Sequence, residues 1–452
     1  MPKKLPPVPK SGSLNFRKVL SIPALLEQVR AIFMEIPDYR ENESKYPLSD
    51  VLMAGLAMFS IKDSSLLEFD QKWSDPIRRH NLTALYGIQD IPSDTHMRTI
   101  LDQVSPDLLR PIFVDLHQTL QQQGEWEPYK FLGKYLVSMD GTGVYSSSNI
   151  SCPECCIKHK GKDNESYYHQ LLAAVMVHPD KKTVLPFYPE AITHQDGNNK
   201  NDCEHNASAR LIPQLHKDFP RAEFIALQDA LACNGPHIKI LKEHNFSFII
   251  TAKPKANSLL LTQVMAGLDK NTTQEISITL EDGTEIGYRF ANDLSLNHQH
   301  KDLKVNFIDY WENRPNGKKF LYACVTDISL TADNVADVVR AGRTRWKVEN
   351  ETFNTLKNQG YNLEHNYGHG KQYLSTVFGT LTLLAFFLDQ IQETTCRYFQ
   401  AARDRQHTRI GLWREMKALF YTHYISDWEQ LYAALVWGYE GTELKPHWNN
   451  TR

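Results

Sequence analysis

The spacing of apolar residues changes abruptly at Lys134, and that change limits the folds open to this chain more than any other feature. Before it, from Ile22 to about Gln123, apolar residues recur every three or four positions, as in IPALLEQVRAIFMEI. LSDVLMAGLAMFSI, Leu48 to Ile61, is apolar almost all round, as a core helix is. IPSDTHMRTILDQV offers Ser93 or Asp94 as an N-cap, and a further helix begins at Ser105. From Lys134 the pattern alternates. KYLVSMDGTGVYSS (134–147) reads as a strand, and HQLLAAVMVHP (169–179) and TVLPFYPEAI (183–192) follow, joined by the turn Asp180-Lys181-Lys182. CEHNASARLIPQLHKDF (203–219) returns to helical spacing, AEFIALQDA (222–230) is a buried strand, GPHIKILKEHN (235–245) a helix and FSFIITAKP (246–254) a strand. Three strands followed by alternating helix and strand predict an α/β layer with a mixed sheet.

The other segments frame that layer. Residues 1–20 are rich in Pro, Lys and Ser and read as a disordered tail; 21–130 form a helical domain. The α/β core covers 131–254 and resumes over 328–390, interrupted by a β-rich insertion at 255–327. The insertion holds two hairpins: EISITLEDGTEIGYRF turns at Asp-Gly, and KVNFIDYWENRPNGKKFLYACVTD turns at Asn-Gly. Residues 391–452 are a helical C-terminal region carrying the densest basic stretch, CRYFQAARDRQHTRIGLWREMK.

Charge and motif content exclude several functions. A formal net charge of −3 leaves no global basicity, so any contact with a polyanion must come from local patches. The N-terminus lacks the apolar stretch of a signal peptide. LSTVFGTLTLLAFFL (374–388) falls short of the ~20 residues that span a bilayer and reads as a buried helix. Seven cysteines, an odd number, point to reduced thiols in the cytoplasm. No P-loop, HExxH, GxSxG or Rossmann glycine fingerprint occurs.

Three acidic residues carry the chemistry. Asp140 and Asp229 follow the apolar stretches YLVSM and FIALQ, where strand ends of an α/β sheet reach a ligand crevice. Each also fits a local role, Asp140 in a turn and Asp229 as a helix N-cap. The third is Glu349, in RWKVENETFNTLKNQG (345–360). On a regular helix Trp346, Glu349, Phe353 and Leu356 share a stripe facing the sheet, with Gly360 ending the helix. Glu351 then falls roughly 200° away, toward solvent beside Lys347 and Asn358. A carboxylate aimed at a core is costly unless it is paired or binds metal; an ion pair with Arg345 is the alternative for Glu349. Three converging carboxylates form a hard-oxygen site suited to two Mg²⁺ or Mn²⁺ ions.

VSMDGTGVYSS, then FIALQDALACNGPHI, then a β-rich insertion, then RTRWKVENETFNTLKNQGYNLEHNYGHG resembles the DDE transposases of the bacterial insertion-sequence-4 kind, over roughly residues 130–390. The resemblance implies a ribonuclease-H-like core interrupted by the insertion, with Asp140, Asp229 and Glu349 as catalytic metal ligands. It implies cut-and-paste transposition, in which element ends are cleaved and joined to target DNA. It also implies that the N-terminal helical domain binds terminal inverted repeats, in a homodimer or larger synaptic complex on the bacterial nucleoid. The family signature around the glutamate is Tyr, two residues, Arg, three residues, Glu, six residues, Lys. Arg345 and Glu349 match it, Gly342 stands at the tyrosine position, and Lys357 lies one residue beyond the lysine position. A regular helix would turn Lys357 about 80° off the Glu349 face. Two alternatives fit the same resemblance: a catalytically silent DNA-binding derivative, and a stand-alone ribonuclease-H-like nuclease.

Weaker signals remain. Cys152 and Cys155, with Cys203 and His205, make a possible structural zinc set, against incidental thiols. HNYGHGK (365–371) reads as a loop whose backbone, with His365 and Lys371, meets phosphate, or as an ordinary turn. Lys253 ends a strand near the site. Trp311 is either a core residue or a platform for an unpaired base. The basic tail is either a solvated face or a DNA contact.

Overall fold

The computed structural model describes residues 19–40, 45–71, 73–193, 200–253, 258–438 and 445–446. The tail read from the sequence at 1–20 lies outside them except for Val19 and Leu20. Six helices come first: α1 (Ile22–Glu35), α2 (Leu48–Ile61), α3 (Leu66–Gln71), α4 (Pro76–Tyr86), α5 (Asp94–Leu101) and α6 (Arg110–Gln122). Their ends follow local chemistry. Ser21 and Asp75 accept backbone N–H bonds as N-caps of α1 and α4, and Gly87 ends α4 at φ 69°.

The α/β layer follows: β1 (Lys130–Phe131), β2 (Lys134–Ser147), β3 (Cys156–Lys158), β4 (Ser166–Val177), β5 (Leu185–Pro186), β6 (Glu190–Ile192), α7 (Lys200–Asp218), β7 (Phe224–Gln228), α8 (Gly235–Glu243) and β8 (Ser247–Thr251). Next come α9 (Ser258–Asp269) and the strands β9 (Thr273–Thr279), β10 (Glu285–Ser295), β11 (Lys304–Asn313) and β12 (Lys319–Thr326). The chain then makes α10 (Val335–Arg343), a π-helical turn at Val348–Phe353 and α11 (Asn354–Asn358). It closes with α12 (Leu374–Thr395), α13 (Arg397–Gln406), α14 (Arg409–Thr422), β13 (His423–Tyr424), α15 (Trp428–Trp437) and β14 (Lys445–Pro446).

One mixed sheet runs in the order β3-β4-β2-β7-β8-β12-β11-β10-β9. β2, β7 and β8 are parallel neighbours; the remaining pairs in that path are antiparallel. The mixed α/β class expected from the sequence is what the chain forms. The strands of the 255–327 segment extend the sheet, because β12 pairs with β8 through Cys324↔Thr251 and Val325↔Ile250. Within it Trp311 lies opposite Gly287 and covers it so closely that a Cβ there would collide with the indole.

The apolar 374–388 stretch lies within α12, which is long and apolar enough to cross a membrane but is packed inside the protein. It rests against α2 and strands β2, β4 and β5. Lys62, in the left-handed conformation at the end of α2 (φ 64°), sends its ammonium into this interior. Its Nζ is 2.7 Å from Asp389 of α12 and lies 4.1 and 4.2 Å from the ring centres of Tyr361 and Trp413. The Tyr361 hydroxyl donates to Asp389 at 2.5 Å. Next to it, buried Asp63 accepts from Tyr421 and pairs with Lys417 at 3.0 Å. The N-terminal helices are thus locked to α12 and α14 by charge as well as by apolar packing.

His117 of α6 sits in an aromatic box, its ring 4.3 Å from Phe187 and 4.6 Å from Phe387, with Nε2 donating to the Pro186 carbonyl at 3.0 Å. Burial pushes its pKa down from 6.5 to about 3. The folded state therefore holds the neutral ring, and this contribution to stability is complete above pH 6.5 and lost as pH falls toward 3. Denaturant titrations between pH 6 and 4 are expected to show wild type losing about 1.4 kcal/mol per pH unit more than His117→Phe. Equal slopes would show that His117 does not carry this proton linkage.

Candidate active site

β2 and β7 run parallel with Ser138 paired to Leu227, so the next two positions bring Asp140 alongside Asp229. Adjacent strands are about 4.8 Å apart, and both residues lie two steps beyond one pair, hence on one face. Asp140 does not end its strand, as the sequence suggested. β2 continues to Ser147 against β4, and it is β7 that stops, at Gln228. Both local roles read from the sequence are occupied as well: Asp140 Oδ1 accepts from the Gly141 amide at 2.8 Å, and Asp229 Oδ1 accepts from Leu231 at 2.9 Å.

Arg345 brings the third carboxylate in. Its guanidinium lies 2.9 Å from Glu349 and 3.5 Å from Asp140, and its carbonyl accepts from Ser138 Oγ at 2.8 Å, which fastens the turn to β2. The ion pair foreseen as an alternative for Glu349 is therefore present and extends to Asp140. The helical-phase expectation fails, however. Residues Val348–Phe353 form a π-helical turn, Trp346 is 54 % exposed, and the Glu349 side chain is 48 % exposed. Glu351 is the more buried of the two, and Lys347 turns inward to the carbonyls of His178 and Pro179 at 2.6 and 3.0 Å. Glu349 is thus an open-site carboxylate, not a sheet-facing one.

The π turn also changes the standing of Lys357. A π bulge accommodates one extra residue in a helix. That is the same one-residue excess by which Lys357 overshoots the signature lysine, so the phase difference expected on a regular helix largely disappears. Lys357 pairs with Glu364 at 2.7 Å, and Glu364 lies beside Gly143 on β2. At Gly342, where the signature has tyrosine, a Cβ would strike the hydroxyl of Tyr322 from β12. Burial raises the Tyr322 phenol well above the usual tyrosine range, and the charge of Arg345 opposes that rise. A tyrosine from another strand therefore fills the space over Gly342.

A fourth acid, Glu204 of α7, had gone unnoticed in the sequence. Its carboxylate approaches Gly141 so closely that a Cβ would lie 2.8 Å from Oε1. Burial pushes the Asp140 carboxyl up to about 6; the Gly141 amide and Arg345 oppose this, while Glu349 and Glu204 add to it. Crowded oxygens whose mutual repulsion favours a positive partner fit a hard divalent cation.

Other candidates are placed as follows. Lys253 and His365 are exposed, and His365 stands edge-on to Tyr367 at 4.9 Å. Lys371 is exposed, but its own amide is held inside the protein. The amides of Lys371, Gln372, Tyr373 and Leu374 converge on buried Asp102 at 2.7, 3.0, 3.1 and 3.1 Å, so an internal carboxylate caps α12. Trp311 is half-buried beside Arg289, 5.5 Å from its ring centre, at the sheet surface and not in the core. Much of the basic tail has internal partners: Arg409 pairs with Glu393 at 2.9 Å, Arg405 donates to the Val436 carbonyl at 2.9 Å, and Lys417 pairs with Glu68 at 3.2 Å.

The thiol set must be corrected. Cys152 and Cys155 meet His169 and His369, whereas His205 stacks 6.3 Å from His237, and the side chain of Cys203 lies outside the described residues. The usable sequence signal was CxxC followed, after thirteen intervening residues, by His169.

No family model matches the sequence, and no curated protein matches it. Seven chains of known structure match. One is a piggyBac transposase in a synaptic complex with hairpin DNA: TM-score 0.44, 10 % identity, with 90 % of this chain and 81 % of that chain covered.

Proposed function

We propose that the chain is a DNA transposase of the insertion-sequence-4-like kind, built on a ribonuclease-H-like core, which cuts element ends and joins them to target DNA. One observation carries this reading: the β2–β7 register carries Asp140 and Asp229 to neighbouring positions where β7 stops, and Glu349 is tied to Asp140 through Arg345. Asp140, Asp229 and Glu349 would hold two Mg²⁺ or Mn²⁺ ions, which when bound activate an attacking oxygen and neutralise the leaving one. Around them the chain's own residues orient DNA. Arg345 and Lys357 face the backbone near the cut, with Lys253, His365 and Lys371 contacting phosphates farther out. Trp311 with Arg289 forms a stacking surface for an unpaired base. The N-terminal helices read inverted repeats, and two or more chains pair two ends on the bacterial nucleoid in the cytoplasm.

The test uses purified protein, Mg²⁺ and a plasmid carrying the DNA that flanks the gene. Cleavage at both flanks and covalent joining of the released 3′ ends to a second plasmid, abolished by EDTA, are expected. Hydrolysis without joining would assign a nuclease instead, and metal-independent protection of the ends without cleavage would assign a silent DNA-binding derivative.

A further inference from the structure

Four side chains able to bind metal meet away from the carboxylates, and five of the six distances between their donor atoms are close to the edges of a tetrahedron. Cys152 Sγ and Cys155 Sγ are 3.8 Å apart and unbonded. His169 Nε2 lies 3.4 Å from Cys152 Sγ and 3.3 Å from Cys155 Sγ; His369 Nε2 lies 3.2 Å from Cys155 Sγ and 3.2 Å from His169 Nε2. All four donor atoms fall within 4.8 Å of one another. A tetrahedral zinc ion with ordinary bond lengths requires edges of about 3.8 Å between sulfurs, about 3.6 Å from sulfur to nitrogen and about 3.3 Å between nitrogens. The structure matches each kind of edge within a few tenths of an ångström. Two imidazole nitrogens so close to each other and to two sulfurs, with Cys155, His169 and His369 buried, are poorly accounted for by hydrogen bonds alone.

The surroundings suit the ion too. His369 Nδ1 donates to the Gly370 carbonyl at 2.7 Å, which leaves Nε2 as the free lone pair facing the sulfurs. The Cys152 amide donates to Cys155 Sγ at 3.4 Å, and the Tyr145 ring covers His369 at 4.6 Å.

We propose that Cys152, Cys155, His169 and His369 bind one structural Zn²⁺ ion as a closed Cys₂His₂ site. Two ligands come from the turn after β2, one from β4 and the last from the loop between α11 and α12. On binding, both thiols release their protons to solvent and no position is left for substrate. The ion is a staple. It fastens the loop that carries Glu364, the partner of Lys357, to the β2–β4 pair, in which Asp140 lies five residues before Tyr145, the register partner of His169. This site is independent of the proposed carboxylate metals and uses a different ligand chemistry.

The full chain, purified without metal-affinity resin and dialysed against a weak chelator, is expected to retain about one zinc per chain by mass spectrometry. Cobalt exchanged into the site is expected to show tetrahedral d–d bands and thiolate-to-cobalt charge transfer. Cys155→Ser and His369→Gln each reduce zinc retention at least about tenfold, whereas Asp140→Asn retains it in full. A chain that holds no zinc and gives no tetrahedral cobalt spectrum overturns the proposal, as does undiminished zinc in both ligand variants or loss of zinc in Asp140→Asn. Should a ligand variant fail to fold, the cobalt spectrum of the unaltered protein decides. No DNA enters these measurements, so they succeed or fail separately from transposition.

Discussion

Asp140→Asn is expected to bind element ends with wild-type affinity and to cut them at least about a thousandfold more slowly in Mg²⁺. Asparagine keeps the shape of the side chain and one oxygen to accept the Gly141 amide, so the fold is undisturbed. What it removes is a negative charge, together with the oxygen that faces Arg345. Glu349→Gln is expected to behave alike, and the double variant should be hardly worse than either single one, because the carboxylates act as a unit. Glu351→Gln is the matched control: its charge acts on Lys347 and Arg409, and cleavage should remain within about a fewfold of wild type. The measurement is single-turnover cleavage of labelled end DNA, with binding followed separately by gel shift. Retention of cleavage by Asp140→Asn or Glu349→Gln, or equal loss in Glu351→Gln, would overturn the assignment.

The largest effect on stability is expected at Lys62. Its ammonium is buried with Asp389 and sandwiched between Tyr361 and Trp413, and burial pushes Lys62 down and Asp389 up in pKa. Lys62→Met keeps an unbranched chain in the left-handed backbone position but strands the Asp389 carboxylate, whose remaining hydrogen bond among the described residues is from the Tyr361 hydroxyl. The expected loss is about 3–5 kcal/mol in denaturant unfolding. Adding Asp389→Leu should recover most of that loss, because removing both charges also removes the desolvation cost. If Lys62→Met unfolded at the wild-type midpoint, or the double variant were no better than the single, the pair would not be acting as a buried ion pair.

The sequence was most informative where one period governs a whole element. The alternation of β2, the helical spacing of α7 and the Asp-Gly and Asn-Gly turns produced strands, helix and hairpins close to where they stand. It misled where geometry depends on partners distant in sequence. A regular-helix phase placed Trp346 and Glu349 against the sheet, but the chain is a 3₁₀ turn at Thr344–Trp346 and a π turn at Val348–Phe353, and both side chains stay open. Signature spacing from Arg345 still pointed to Glu349, and contact with Asp140 through Arg345, 205 residues away in sequence, agrees with it. HNYGHGK has the glycines of a phosphate loop, yet its last amide, at Lys371, and the three that follow it are already occupied by Asp102. The thiols could not be matched to His369 from spacing alone, because that ligand arrives from a loop more than two hundred residues downstream.

The join between β12 and β8 has a mechanical consequence. Because the outer strands β9–β12 continue the hydrogen-bonded ladder of the inner ones, they form a stiff plate and not a hinged flap. Tyr322 rides on that plate and abuts α10 at Gly342, three residues before Arg345. Trp311 stands on β11, next to β12, so this plate and the α10 turn that precedes Arg345 meet directly through Tyr322. The two cannot be exchanged between proteins as separate modules, since a side chain at 342 and a tyrosine at 322 would compete for the same volume.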